Sequence, residues 1–450
     1  MLHKLYSAVI PLFLRTAAGQ CRNKIKSCWW NLQYQISPIK CWCIRQRVST
    51  AKAHRKRRAR HRALLESGKV INVVFEVTGI PKWKGDSLLR LMMKHPRFRP
   101  LVWYVPYIGR EGSEGVQRDL AQCNEHFSAM GAKMVCYASM ADFPSDETPD
   151  IIFPNEPYDV FIFSQHHNNK LLDYLLCFIP YAYTSSASSA TWNHIITNAA
   201  LFNFTENNVS YRKVKSYLTN HGINAVNSGH PMADSFLFPM GERCKAWRDC
   251  GSSKRKVIWA PHWTIQAETN GWIYYGTFLS TAEAIMELVQ QYKDQIQFAF
   301  KPHPNLYDTL CKHPNWGKER TDAFYAKWRE MPNTQFEDGA YVDLFMQSDA
   351  MIHDCGSFIQ EYLFADKPCM YLREPENKQE YSAMAADCLN AYQIGITREE
   401  IEAFLQMVLR GEDSKAEERR ELRQKYLIPP HGQSAAQNII DCLLTQEHHS

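Results

Sequence analysis

The chain has 450 residues, 45% of them hydrophobic and 22% charged, which excludes a disordered polypeptide and leaves room for two domains and an appendage. The formal net charge of +5 is unevenly spread, since residues 1–65 hold 15 Lys and Arg with no Asp or Glu and the other 385 carry a net −10. Fourteen cysteines without framework spacing, several in apolar runs such as Cys136, Cys177 and Cys369, exclude a disulfide-stapled fold and point to a reducing compartment.

The first apolar run, residues 5–14 between Lys4 and Arg15, is well short of the ~20 residues that span a bilayer. Trp29, Trp30, Tyr34 and Trp42 interleaved with Lys and Arg instead suit a membrane interface, and the run 54–62 adds roughly 1 kcal/mol per basic residue at an anionic surface. A nucleic-acid tail and a plain solubilising tail compete with this reading. Nothing in the body resembles a nucleic-acid module, so residues 1–65 are expected to meet anionic lipid and no nucleic acid. Cys21, Cys28, Cys41 and Cys43 are not followed by paired ligands, and neither metal nor other cofactor is expected.

From Val70 onward strands and helices alternate. Strands are predicted over 70–77, 101–105, 134–137, 160–163 and 180–183, with helices near 87–94, 113–130 and 170–177, the pattern of a parallel, doubly wound sheet. The loop 78–86 lies at the carboxyl end of the first strand, where such sheets place ligands, and could face an acceptor. Residues 227–239, with Gly229, Pro231 and Pro239, form a domain boundary. Alternation then restarts, with strands predicted over 257–260, 297–300 and 334–336 and helices near 278–293 and 322–329. The expected domains are 1–65, a basic membrane-surface segment; 66–240, an acceptor domain; 255–412, a donor-nucleotide domain; and 413–450, closing helices.

Residues 349–372 read as strand, tight turn, short helix and second strand. Cys355-Gly356-Ser357 is turn chemistry at a helix start, where free N–H groups and the Ser357 hydroxyl suit a phosphoryl group; Ser is also an ordinary N-cap. Three histidines end strands of this half or their loops: His262 after Ala-Pro, His303 between Pro302 and Pro304, and His353 before Asp354. Parallel strands would bring all three to one sheet edge, with Lys301 balancing phosphate charge.

The unit from His353 onward, an aspartate before a Gly-Ser turn, a short helix and a Lys-Pro strand, resembles the C-terminal motif of the CDP-glycerol glycerophosphotransferase family, the membrane-associated teichoic-acid polymerases and primases. Residues 257–263 resemble its strand, Ala-Pro, Thr-Trp segment, 300–304 its Arg-Pro-His-Pro segment, and 228–231 its Gly-Tyr-Pro linker. The resemblance covers the C-terminal half and implies a GT-B-like α/β architecture, two Rossmann-like doubly wound domains facing a cleft, with a terminal helix crossing back to the first. The family's Trp-His-Gly-Thr-Pro segment, whose His is thought to be the base, is absent. At the comparable place stand residues 179–186, with His166, His167 and His194 nearby.

On this reading His303, His166 and His353 are the candidate catalytic residues, and His262, Lys301, Asp354, Gly356, Ser357 and Glu361 the candidate substrate-binding ones. The function implied is transfer of an alditol phosphate from a CDP-activated donor to a hydroxyl of a lipid-linked or polymeric cell-envelope acceptor, releasing CMP, at the cytoplasmic face of the membrane. The alternatives are a GT-B glycosyltransferase or epimerase using a nucleotide sugar in polysaccharide synthesis, and a catalytically silent nucleotide-binding scaffold.

Overall fold

The computed structural model describes residues 37–106, 114–168, 170–185, 187, 192–239, 243–250, 253–265, 274–377 and 379–445. The apolar run at 5–14 and the indoles of Trp29 and Trp30 lie outside them.

Seven strands make the first sheet: β1 (Ile71–Val77), β2 (Phe98–Tyr104), β3 (Met134–Val135), β4 (Ile151–Phe153), β5 (Leu175–Phe178), β6 (Phe202–Thr205) and β7 (Ala225–Asn227). Six make the second: β8 (Arg255–Ala260), β9 (Ile296–Phe300), β10 (Thr334–Phe336), β11 (Ala350–His353), β12 (Cys369–Leu372) and β13 (Gln393–Gly395). Their orders, β3-β2-β1-β4-β5-β6-β7 and β10-β9-β8-β11-β12-β13, are those of doubly wound sheets, and the pairings are parallel throughout. Strand order reverses between β1 and β4 and between β8 and β11, so each domain has a switch point at which the loops leaving adjacent strands diverge and open a crevice.

The central strands are buried on both faces, which is why they read as near-continuous apolar runs. In β1, Val73, Phe75 and Val77 pack with Leu88, Leu89 and Phe127, while Val74 turns to Trp103 and Ile152. In β8, Val257 and Trp259 face Phe278, Phe300 and Trp328, and Ile258 and Ala260 face Ile359 and Tyr371.

Four departures from the sequence reading lie in the first domain. Residues 160–163 are not a strand but belong to the short helix Asp159–Ile162 and its C-cap. Leu175–Phe178 is a strand where a helix was expected, because four apolar residues in a row satisfy either period. Residues 180–183 form a loop, and β4, β6 and β7, of three or four residues each, lack the length to show a pattern.

Half of the basic segment is folded onto the first domain as two helices, Pro38–Val48 and Ala51–Glu66. Leu64 and Leu65 join the core, Arg45 pairs with Asp159 at 2.8 Å, Arg57 donates to the Val48 carbonyl, and the His61 Nε2–H donates to the Leu443 carbonyl at 2.9 Å. Lys40, Arg47, Lys52, Arg55, Lys56, Arg60 and Arg62 stay exposed, as do Ile39 and Trp42. No described helix is long and apolar enough to cross a membrane.

The last helix, Ala435–Leu444, crosses back to the first domain, where Ala436, Ile439, Ile440 and Leu443 complete its core. Its N-terminus is tied by Asp234, whose two oxygens accept from the Ala435 N–H at 2.8 Å, the Ala436 N–H at 2.9 Å and the Ser87 hydroxyl at 2.8 Å.

Candidate active site

The carboxyl ends of the two sheets enclose a cavity of about 280 Å³. Its first-domain wall comes from the loops after β4 and β5 and from β6, including Tyr158, Tyr181, Ser185, Trp192, Asn203 and Thr205. Its second-domain wall is His262, Tyr275, His303, Cys355, Gly356 and Ser357. Both walls rise from the strand ends beside the switch points, as the alternation of strands and helices implied.

His262 and His303 stand side by side, their ring centroids 4.9 Å apart. His262 follows β8, and its backbone N–H is anchored on Asp354 Oδ1 at 2.5 Å. Its Nδ1 lies 2.8 Å from the Thr264 hydroxyl and accepts from the Thr264 N–H at 3.3 Å; that hydroxyl itself accepts from the Tyr275 N–H, so its proton goes to Nδ1. His303 follows β9, donates its backbone N–H to the Pro261 carbonyl, and accepts at Nδ1 from the Asn305 N–H at 3.1 Å. In both rings the proton is therefore on Nε2, leaving two imidazoles that act as hydrogen-bond donors. Burial, reinforced by the Lys301 and Lys82 charges, pushes His303 down to about 3, and burial with the neighbouring His303 keeps His262 well below its usual value.

Asp354 lies beneath the cavity. Its second oxygen accepts from the Thr277 N–H at 2.5 Å and the Thr277 hydroxyl at 2.9 Å, so the carboxyl joins the turn after β11 to the loops carrying His262 and Thr277. Burial raises it to about 7, against the pull of those donors. Gly356 and Ser357 reach the cavity, though not as expected. Ser357 has helical φ/ψ and makes no side-chain cap bond, and the helix it precedes, Phe358–Glu361, is a single turn continued by a 3-10 turn. Tyr275 covers Gly356 so closely that a Cβ there would stand 2.8 Å from the phenol ring.

Four other sequence-predicted residues are not brought to the cavity. His353, the last residue of β11, points into the core among Phe358, Tyr371 and Tyr392, where neither ring nitrogen has a hydrogen-bond partner and burial drives it down to about 3. His166 lies at the far side of the first sheet, its Nδ1 2.8 Å from the Ala138 carbonyl. Lys301 turns away to donate to the Gly339 carbonyl at 3.0 Å, and burial lowers it to about 8. Glu361 accepts from the Tyr341 hydroxyl at 2.5 Å, and Tyr341 in turn accepts from Lys84, joining the two domains. His167 and His194 are also spent on structure: His167 pairs with buried Glu76 at 2.7 Å, and His194 packs beside Asp159 and Tyr158.

Sequence reasoning placed the loop 78–86 at a ligand-facing edge without singling out Lys82, whose charge, after that of Lys301, acts on His303. Lys82, in the 3-10 turn after β1, donates to buried Glu156 at 2.5 Å with its ammonium 5.4 Å from the Tyr181 ring centroid. It also missed Asn203, although an Asn in the apolar strand Phe-Asn-Phe-Thr was a visible signal.

A family model described as CDP-Glycerol:Poly(glycerophosphate) glycerophosphotransferase matches residues 192–444. Curated proteins give no match. Among solved structures, the wall teichoic acid polymerase TagF is 13% identical with a TM-score of 0.52, over 93% of this chain and 97% of that one. UDP-GlcNAc 2-epimerase from Neisseria meningitidis, bound to UDP-GlcNAc, is 14% identical with a TM-score of 0.52, over 84% and 99%. The Methanocaldococcus jannaschii UDP-GlcNAc 2-epimerase, in complex with UDP-GlcNAc and UDP, is 11% identical with a TM-score of 0.51, over 82% and 98%. At such identities the likeness is one of fold, two Rossmann-like domains in a GT-B-like arrangement.

Proposed function

Because the chain belongs to the CDP-glycerol glycerophosphotransferase family, we propose that it transfers an alditol phosphate from a CDP-activated donor to an acceptor hydroxyl and releases CMP. The acceptor oxygen bonds to the β-phosphorus as the bond from that phosphorus to the oxygen leaving with CMP breaks, and the acceptor proton is taken up by the departing CMP phosphate. The observation that carries this reading is the His262–His303 pair, two neutral imidazoles with Nε2–H donors at the carboxyl edge of the donor-side sheet. Donors fixed before the reaction stabilise charge that develops on phosphoryl and leaving-group oxygens without reorganisation cost. Asp354 is a positioning residue that holds the His262 loop, and Gly356 and Ser357 lie against the phosphates.

We place the reaction at the cytoplasmic face of the membrane, with the enzyme held peripherally by its basic segment. The exposed Lys and Arg of the two docked helices, with Ile39 and Trp42 between them, are the groups that would meet anionic lipid.

Purified protein is incubated with CDP-glycerol, CDP-ribitol and a panel of UDP-sugars, and released CMP or UDP is measured. Acceptor-dependent CMP release from a CDP-alditol is the expected outcome. Release of UDP alone would replace this reading with a glycosyl transfer.

A further inference from the structure

A second cavity, of about 560 Å³, lies where the docked helix Pro38–Val48 meets the first domain, and the phosphotransfer chemistry does not use it. Arg45 of that helix, Tyr158, Asp159, His194 and the exposed Tyr217 line it, and Tyr158 also lines the active-site cavity. Its charges balance. Arg45 pairs with Asp159 at 2.8 Å, the other Asp159 oxygen accepts from the Ile195 N–H at 2.7 Å, and burial keeps His194 below its usual value against the pull of Asp159, so the ring is neutral at pH 7. Its hydrogen bonds do not. Of the five N–H groups of Arg45, only the one that meets Asp159 is used by a described residue, and both Arg45 Nε and His194 Nε2 are buried without a partner. Buried nitrogens of this kind are costly to keep unless something else bonds to them. Ile39, Trp42 and Arg45 follow one another at three-residue spacing along the helix, so they form a ridge whose first two members are exposed and whose third reaches the cavity.

We propose that this cavity holds the headgroup of a single membrane phospholipid, one that carries a phosphodiester beside a primary ammonium. The Arg45–Asp159 pair stays intact and meets a ligand of the opposite polarity: the unused guanidinium donors take the phosphate, and the carboxylate, with the rings of Tyr158 and Tyr217, takes the ammonium. A purely anionic headgroup would set its charge against Asp159, and a quaternary ammonium has no N–H to give that carboxylate. The exposed Trp42 and Ile39 on the same ridge suit the interface at which the glycerol and acyl chains would leave the cavity. The surrounding Lys and Arg attract any anionic surface, whereas this site selects one neutral headgroup within it. The inference rests on the peripheral membrane placement proposed above.

The test has a soluble arm and a vesicle arm, both on the full chain. Saturation-transfer NMR compares glycerophosphoethanolamine with glycerophosphocholine and glycerophosphoglycerol. Sedimentation compares vesicles of phosphatidylcholine and phosphatidylglycerol with vesicles in which phosphatidylethanolamine replaces phosphatidylcholine at the same phosphatidylglycerol content. Saturation of glycerophosphoethanolamine above both comparators, weakened about tenfold or more in Arg45→Gln, is expected, together with tighter vesicle binding on adding phosphatidylethanolamine in the parent but not in the variant. Where Arg45→Gln melts early, Tyr217→Ala, at an exposed position, is read in its place for the same loss. Equal saturation of all three compounds, none at all, or a signal unchanged in a variant that melts as the parent does would overturn the proposal. Vesicle binding that follows phosphatidylglycerol alone also sinks it and leaves the membrane role of the basic segment standing. Loss of all vesicle binding while glycerophosphoethanolamine still binds removes the membrane placement and gives the site to the soluble ester.

Discussion

His303 and His353 are the same residue type at the ends of two strands of one sheet, yet they carry opposite expectations. His303→Ala should lower turnover about 10²- to 10³-fold with little change in melting temperature, because a loop imidazole between two prolines packs little apolar surface while its Nε2–H serves developing charge. Near-normal turnover with early melting would make His303 structural and remove the main support for phosphotransfer. His353 is held neutral, with a folded value of about 3 against roughly 6.5 unfolded. As pH falls through 6.5 the unfolded chain takes up the proton first, so this contribution is fully present above pH 6.5 and is lost progressively toward pH 3. At pH 5 the loss amounts to about 2 kcal/mol. His353→Leu should therefore gain stability relative to the parent between pH 7 and pH 5, read from paired urea melts; parallel pH profiles would show that the ring is not buried neutral. The distinction was hidden in the sequence for a simple reason. His303 is three residues past the end of β9 and free to face the cavity, whereas His353 still belongs to β11, where alternation commits its side chain to a sheet face.

At the scale of elements, the second domain was the more legible because its strands are bounded by Pro and Gly and its helices run long enough to show their period, as Phe278–Gln291 and Gly317–Glu330 do. The first domain was less so. Its β4, β6 and β7 are too short for any pattern, and the cavity wall between β5 and the helix at Ile195–Ala199 is mostly loop, fixed by tertiary contacts such as the Ser185 hydroxyl on the Gly356 carbonyl. The crossing helix was foreseen, but its latch was not. Asp234 lies 201 residues from Ala435 and no local signal joins them. Asp234→Ala strands two buried N–H groups, while the Ser87 hydroxyl keeps the Pro231 carbonyl, and should cost about 2 to 4 kcal/mol, with early proteolytic loss of the last helix as the marker. Full resistance to limited proteolysis in that variant would mean the apolar face of the helix suffices to hold it.

For the whole molecule, the docked half of the basic segment changes what truncation should do. A chain beginning at residue 37 keeps both docked helices and should melt as the full chain does. One beginning at residue 67 loses Leu64, Leu65 and the His61 bond to Leu443, and should be less stable by several kcal/mol, on the order of two buried leucines. Binding to anionic vesicles should follow the exposed cations, weakening from low to high salt as the Debye length shortens and falling sharply in the chain that begins at 67. Equal vesicle binding by all three would detach the membrane role from this segment. The helix Ala435–Leu444 has a further consequence. It completes the core of a domain whose strands all lie before residue 228, and the helix Ala51–Glu66 rests on its Leu443 carbonyl. On the ribosome, some 200 residues of the second domain must be made before the missing wall exists, about 10 to 40 s at ordinary elongation rates. The first domain is thus finished only after the second has been made, and the helix Ala51–Glu66 can settle only once Ala435–Leu444 has emerged.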